Sequence, residues 1–126
     1  MTLMKLHLDN AGEFKITAYA PGSIVINDRP YNGSLVIQVS EPPGPWNIQD
    51  ITELDQSATQ ELLSLKPEVL LIGTGTRQKF PPLEHLRWLY SAEIGFEIMD
   101  TAAACRTFNI IAGEGRRVVA AVLALE

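Results

Sequence analysis

Two apolar runs without alternation constrain this chain more than any other feature. Val69-Leu70-Leu71-Ile72 and Val118 through Leu123 put no polar side chain on either face, and a strand of that kind is stable only when both faces are covered. Before and between the runs the apolar spacing becomes helical. Asp55 or Ser57 can cap a first helix, with Ser57 and Gln60 at capping-box spacing and Leu62, Leu63 and Leu65 as its apolar side; Lys66-Pro67 ends it. Pro81-Pro82 can open a second helix, in which Leu83, Leu86 and Tyr90 recur at helical spacing. Gly95 leads into a short strand, Phe96 to Met99. Asp100 then caps a third helix, from Thr101 to about Ala112, with Ala104 or Cys105, Phe108 and Ile111 as its stripe. Gly113-Glu114-Gly115 turns the chain into the second apolar run. Strands and helices in alternation predict an α/β fold with a largely parallel sheet.

The first third of the chain has the period of two instead. Leu6 and Leu8 read as a strand, and Phe14, Ile16 and Ala18 alternate with Lys15, Thr17 and Tyr19. Pro21-Gly22 breaks the chain, Ser23 to Ile26 is a β-branched strand, and Asn27 to Pro30 and Asn32-Gly33 are turn signals. Ser34 to Ser40 alternates again through Leu35, Ile37 and Val39. This predicts an antiparallel meander of three or four strands ahead of the α/β layer. Glu41 to Asn47 holds three prolines, which exclude a helix and a central strand, and Trp46 is expected to pack over the sheet edge. With 126 residues, the size of one ordinary domain (roughly 100 to 200 residues), the proline segment reads as a loop inside a single domain, 1–126.

Composition excludes several function classes. Ten basic against fifteen acidic side chains give a net charge of −5, the wrong sign for a protein whose affinity rests on neutralising phosphates, so no nucleic-acid partner is expected. The one cysteine, Cys105, makes neither an intramolecular disulfide nor a thiolate metal cluster, and nothing requires an oxidising compartment. The opening residues lack the pattern of a signal or transit peptide. The longest apolar stretch, Val118 to Leu125, spans eight residues, against about 20 for a membrane helix. A cytoplasmic location is the expectation.

The loop after the first apolar run carries the best candidate ligand site: Gly73, Thr74, Gly75, Thr76 and Arg77, with Lys79 beyond. It leaves the C-terminal end of a buried strand, where open α/β sheets place ligands. Its glycines let backbone N–H groups approach an anion, and its hydroxyls and cations add donors. It matches neither the dinucleotide fingerprint, since Gln78 stands where a third glycine belongs, nor the P-loop ending. The other reading is a tight structural turn. Asp100 and Thr101, at the end of the next strand, would join Thr74 and Thr76 in one crevice if the two strands are adjacent; otherwise Asp100 simply caps its helix. Arg106 and Asn109 share a helical face and Arg116 and Arg117 follow the next turn, making them candidates for a partner surface or plain solvated groups. His7 and His85 lack metal-ligand spacing, no serine sits in a nucleophile elbow, and Cys105 falls on an apolar stripe. Glu53, Asp55 and Glu61 look like surface or capping carboxylates. No catalytic residue, metal or cofactor is nominated.

The stretch Leu70-Leu71-Ile72-Gly73-Thr74-Gly75 followed by Pro81, together with Met99 to Asn109 and Glu114-Gly115-Arg116, resembles the Mth938-like domain family. That family includes mitochondrial respiratory complex I assembly factor 3, an adipogenesis-associated eukaryotic protein, and many bacterial and archaeal members. The resemblance implies a three-layer domain whose central mixed sheet has one antiparallel strand and flanking helices. It implies no catalytic residues. Its best-described eukaryotic member acts with partner proteins in assembling complex I at the inner mitochondrial membrane, and this chain, without that member's targeting extension, looks like a bacterial relative. The expectation is a noncatalytic accessory protein that binds another protein and reaches a membrane, if at all, through that partner. The alternative is a small-molecule or anion-binding protein, or an enzyme, working at the Gly-Thr-Gly loop.

Overall fold

A computed structural model describes residues 13–126, so the expected Leu6–Leu8 strand and His7 lie outside the described residues. The architecture is a mixed α/β arrangement of two sheets and three α-helices. Strands β1 (Ile16–Ala20), β2 (Ser23–Ile26) and β3 (Arg29–Asn32) form an antiparallel meander in that order. The second sheet has five strands in the order β5-β4-β8-β6-β7: β4 is Leu35–Gln38, β5 Gly44–Pro45, β6 Val69–Gly73, β7 Gly95–Met99 and β8 Val118–Val122. Strand β6 runs parallel to both β7 and β8, pairing Val69 with Gly95 on one side and with Val118 on the other. Helices α1 (Gln56–Leu63), α2 (Leu83–Ser91) and α3 (Thr101–Gly113) flank it.

The two apolar runs explain the layering. Every residue of β6 and of β8 is buried, and their side chains divide alternately between two cores. Val69, Leu71, Val118, Ala120 and Val122 pack with Ala104, Cys105 and Phe108 of α3 and with Ile16, Ile24 and Ile26 of the meander. Leu70, Ile72, Val119 and Ala121 face the other way, toward Leu62 of α1, Leu86 and Leu89 of α2, and Trp46 and Ile48 of the proline segment. Period-two geometry thus turns one continuous apolar run into two half-cores.

Four expectations are corrected. The strand expected within Ser34–Ser40 is β4, which leaves the meander and pairs antiparallel with β8, Leu35 opposite Val122. Leu35 and Ile37 enter one core while Val36 packs against the other, so neither face of β4 is the wet face that alternation suggests. Asp55 caps α1 through Ala58 N at 3.0 Å, leaving Ser57 inside the helix. The capping box lies upstream, on a 3-10 turn at Ile51–Glu53, where Asp50 Oδ1 accepts from Thr52 N and Glu53 Oε2 from Asp50 N. Finally, α2 is rotated relative to its expected stripe: Leu86 and Leu89 are buried, whereas Leu83 and Tyr90 are exposed. Leu83 is the first helical residue, and the inward face of this short helix follows 86 and 89.

Two polar clasps fasten the layers. Asn109 of α3 accepts from Ile16 N at 3.0 Å and donates to Ile16 O at 2.7 Å, satisfying a meander residue where the β1–β2 register shifts. At the opposite end of the sheet the fully buried Thr101 hydroxyl accepts from Gly75 N at 2.8 Å and donates to Leu123 O at 2.7 Å. It joins the ends of β6 and β8 to the start of α3. Gly73 sits under this clasp, where a Cβ would come within 2.7 Å of Val122 Cγ1 and 2.9 Å of Thr101 Oγ1.

Three stability outcomes follow. Thr101→Val strands a buried N–H and a carbonyl, and should cost about 1–3 kcal/mol per orphaned group in urea denaturation; Gly73→Ala should cost about 1–3 kcal/mol through overpacking. Asn109→Ala should cost about 1–3 kcal/mol and raise amide exchange in β1 and β2 more than in β6. Uniform exchange across both sheets would remove the clasp from this account.

Candidate functional site

The C-terminal ends of the parallel strands open into a cleft of about 630 Å³. One wall is the loop Thr74–Arg77 with Lys79; the opposite side is the Gly33-Ser34 turn and Gln49–Ile51, and Leu123 and Ala124 continue from β8 between them, with Glu126 at the rim. One side chain closes the turn of the loop on itself. Thr74 Oγ1 donates to Arg77 O at 2.6 Å and accepts from Lys79 N at 3.0 Å, while Thr74 N donates to Met99 O at 2.8 Å. Gly75 has φ +94, a left-handed conformation that favours glycine. Thr76 Oγ1 accepts from Glu126 N at 2.9 Å. Farther along, Gln78 Nε2 donates to Ile98 O at 2.9 Å, tying the loop to β7.

The ligand candidates therefore part company. Thr74, Gly75, Thr76 and Arg77 line the cleft. Gly73 is buried beneath it. Asp100 and Thr101 lie outside the lining: Asp100 Oδ1 accepts from Ala103 N at 2.8 Å as the α3 cap, and the Thr101 hydroxyl is spent on Gly75 and Leu123. A carboxylate at the first turn of a helix is drawn to its unpaired N–H groups, so the four-residue crevice with Thr74 and Thr76 does not form. Ser34, Gln49, Asp50 and Leu123 take the places across the cleft. The Asn32-Gly33 pair signals a turn, but nothing in the local sequence signals that this turn faces residues forty positions away.

Asp50 is held below the usual carboxylate range, first by the Thr52 N–H, then by the Thr52 hydroxyl, with the Lys79 charge adding to the effect. Cys105 is buried on α3, and burial pushes its thiol up to about 11, against a smaller opposing pull from Arg106. A thiol so placed stays protonated at neutral pH and acts as a small core residue. Among the described residues no cluster of three or more His, Cys, Asp or Glu is placed to hold a metal ion.

The four candidates for a partner surface have separate employments. Arg106 Nη1 donates to Tyr19 Oη at 2.6 Å, and Asn109 clasps Ile16. Arg117 donates to Lys66 O at 3.1 Å and stands 3.6 Å from Glu68, closing the start of β6. Only the side chain of Arg116, of these four, makes no hydrogen bond or ion pair among the described residues. The sequence reading missed a different surface. Phe80 is 65% exposed, Leu83 85% and Tyr90 70%, and Leu83, Arg87 and Tyr90 fall at i, i+4 and i+7 on the outer side of α2. Tyr90 meets Phe96 of β7 edge-on at 5.2 Å, and the Arg87 guanidinium lies 5.1 Å from the Trp88 ring centre.

The chain resembles proteins of bacteria and of animals. It is 31% identical over 119 residues to the 13 kDa major membrane protein of Francisella tularensis subsp. holarctica, covering 94% of this chain and 95% of that one. It is 28% identical over 124 residues to NADH dehydrogenase (ubiquinone) 1 alpha subcomplex assembly factor 3 of Xenopus tropicalis, covering 97% of this chain and 67% of that protein. A solution structure of a Mth938-like domain from Bordetella pertussis superposes with a TM-score of 0.74 at 32% identity, over 88% of this chain and 85% of that one. No helix among the described residues is long and apolar enough to cross a membrane. Residues 16–123 match the family described as protein of unknown function (DUF498/DUF598), and the chain is a member of that family with a Mth938-like fold.

Proposed function

We propose that the chain acts as a single domain and a noncatalytic accessory protein, binding another protein during assembly of a membrane-associated complex of the respiratory complex I kind. The observation that carries this reading is the alignment of 97% of this chain with 67% of complex I assembly factor 3. The outer face of α2 gives it a physical basis. Phe80, Leu83 and Tyr90 leave apolar area in water beside Arg87, and burying such area against a partner recovers about 25 cal/mol per Å². Aromatic and arginine side chains are also the types that dominate binding energy at protein interfaces. Arg116, whose side chain has no partner among the described residues, supplies a cation elsewhere on the surface. On this reading the protein works on the cytoplasmic side and reaches the bilayer through its partner, which fits a relative named as a membrane protein.

The test is native affinity purification from cells that express the protein at its normal level. Subunits or assembly intermediates of a membrane complex should co-purify. Leu83→Asp, at a solvent-exposed position that tolerates charge at a helix start, should lower their recovery about tenfold without shifting the melting temperature. Absence of a reproducible partner, or partner recovery that neither Leu83→Asp nor Tyr90→Asp lowers, would overturn the reading.

A further inference from the structure

The geometry of the loop cleft points to a binding site for a phosphate-bearing small molecule with hydroxyl groups. The donors come first. Backbone N–H groups of Thr76, Arg77 and Gln78 are consecutive and have no hydrogen-bond partner among the described residues, while their neighbours Gly75 and Lys79 are satisfied by Thr101 and Thr74. Successive unpaired N–H groups after a left-handed residue form the concavity that oxyanions occupy. The Thr74 hydroxyl fixes both ends of this turn, so its donors are ordered before a ligand arrives.

Charge and shape add independent support. Arg77 and Lys79 line the cleft, and neither side chain makes a hydrogen bond or ion pair among the described residues. Arginine and lysine together with backbone N–H groups are the standard reagents of phosphate recognition. The cleft, at about 630 Å³, lies within the range of small-molecule sites and is far larger than an isolated oxyanion needs. Ile51, Leu123 and Ala124 offer surface to a ligand body. Across from the loop, Asp50 bonds Thr52 through Oδ1 alone, which leaves its second oxygen to accept from a ligand hydroxyl. Asp50 and Glu126 are also the opposing charges at the rim, so removing one should favour the anion. None of these residues is on the α2 face, and this site stands or falls independently of the partner reading.

The experiment is a titration of the full chain with pyrophosphate, and with inorganic phosphate, at constant ionic strength, followed by amide chemical shifts. Saturable shifts centred on Thr76, Arg77 and Gln78 are expected. Arg77→Ala and Lys79→Ala should each weaken pyrophosphate binding about tenfold, the loss of one charge-assisted contact. Asp50→Asn, which keeps the cap acceptor, should strengthen it, and Arg116→Ala and Leu83→Asp should leave it unchanged. Non-saturating shifts, or a pyrophosphate affinity that neither Arg77→Ala nor Lys79→Ala lowers, would overturn the site. So would binding to phosphatidylglycerol vesicles without binding to either soluble phosphate, because that result assigns the cations to a lipid surface.

Discussion

Burial of β6 and β8 on both faces is the constraint from which the rest follows. Two adjacent parallel strands with no wet face need a layer on each side, and the chain supplies α3 with the meander on one and α1, α2 and the proline segment on the other. Side chains of these strands are thereby unavailable for chemistry, since each is committed to packing. What remains is the sheet's C-terminal end, where backbone rather than side chains meets solvent. The Thr101 hydroxyl keeps that end in register by bonding across the β6 and β8 termini.

Legibility followed the physics of periodicity. Continuous apolar runs revealed the buried strands, because runs this short, rich in β-branched residues and bounded by turn signals, fit a strand covered on both faces better than a helix. Asp100 was readable as a cap because its effect is local. The α2 phase was not: nine residues make only about two and a half turns, too few for spacing to distinguish a stripe through Leu83 and Tyr90 from one through Leu86 and Leu89. Strand β4 was misplaced for a related reason, since alternation in four residues does not identify which sheet will accept them. The cleft was half visible. Its loop could be found from glycines, threonines and cations, but its other wall comes from segments brought near only by the antiparallel pairing of β4 with β8.

Family membership and geometry address separate questions. Similarity to an assembly factor over most of the chain bears on what the domain does among other proteins; one fold hosts many functions, and a site must be argued from its own groups. The α2 face and the loop cleft differ in chemistry accordingly. One is apolar and aromatic, suited to excluding water; the other is lined by donors and charges suited to a small polar molecule.

The side-chain bond from Gln78 to Ile98 O has a consequence for how this sheet meets its surroundings. Among the described residues strand β7 is an edge, and consecutive carbonyls of a strand point to opposite sides, so with Met99 O turned to Thr74 the Ile98 carbonyl faces outward. Gln78 occupies one of the acceptors that an added strand would use. At the other edge β5 is two residues long and ends in Pro45, which offers no N–H. Both margins of the central sheet are thus poor templates for strand addition, a defence against edge-to-edge aggregation.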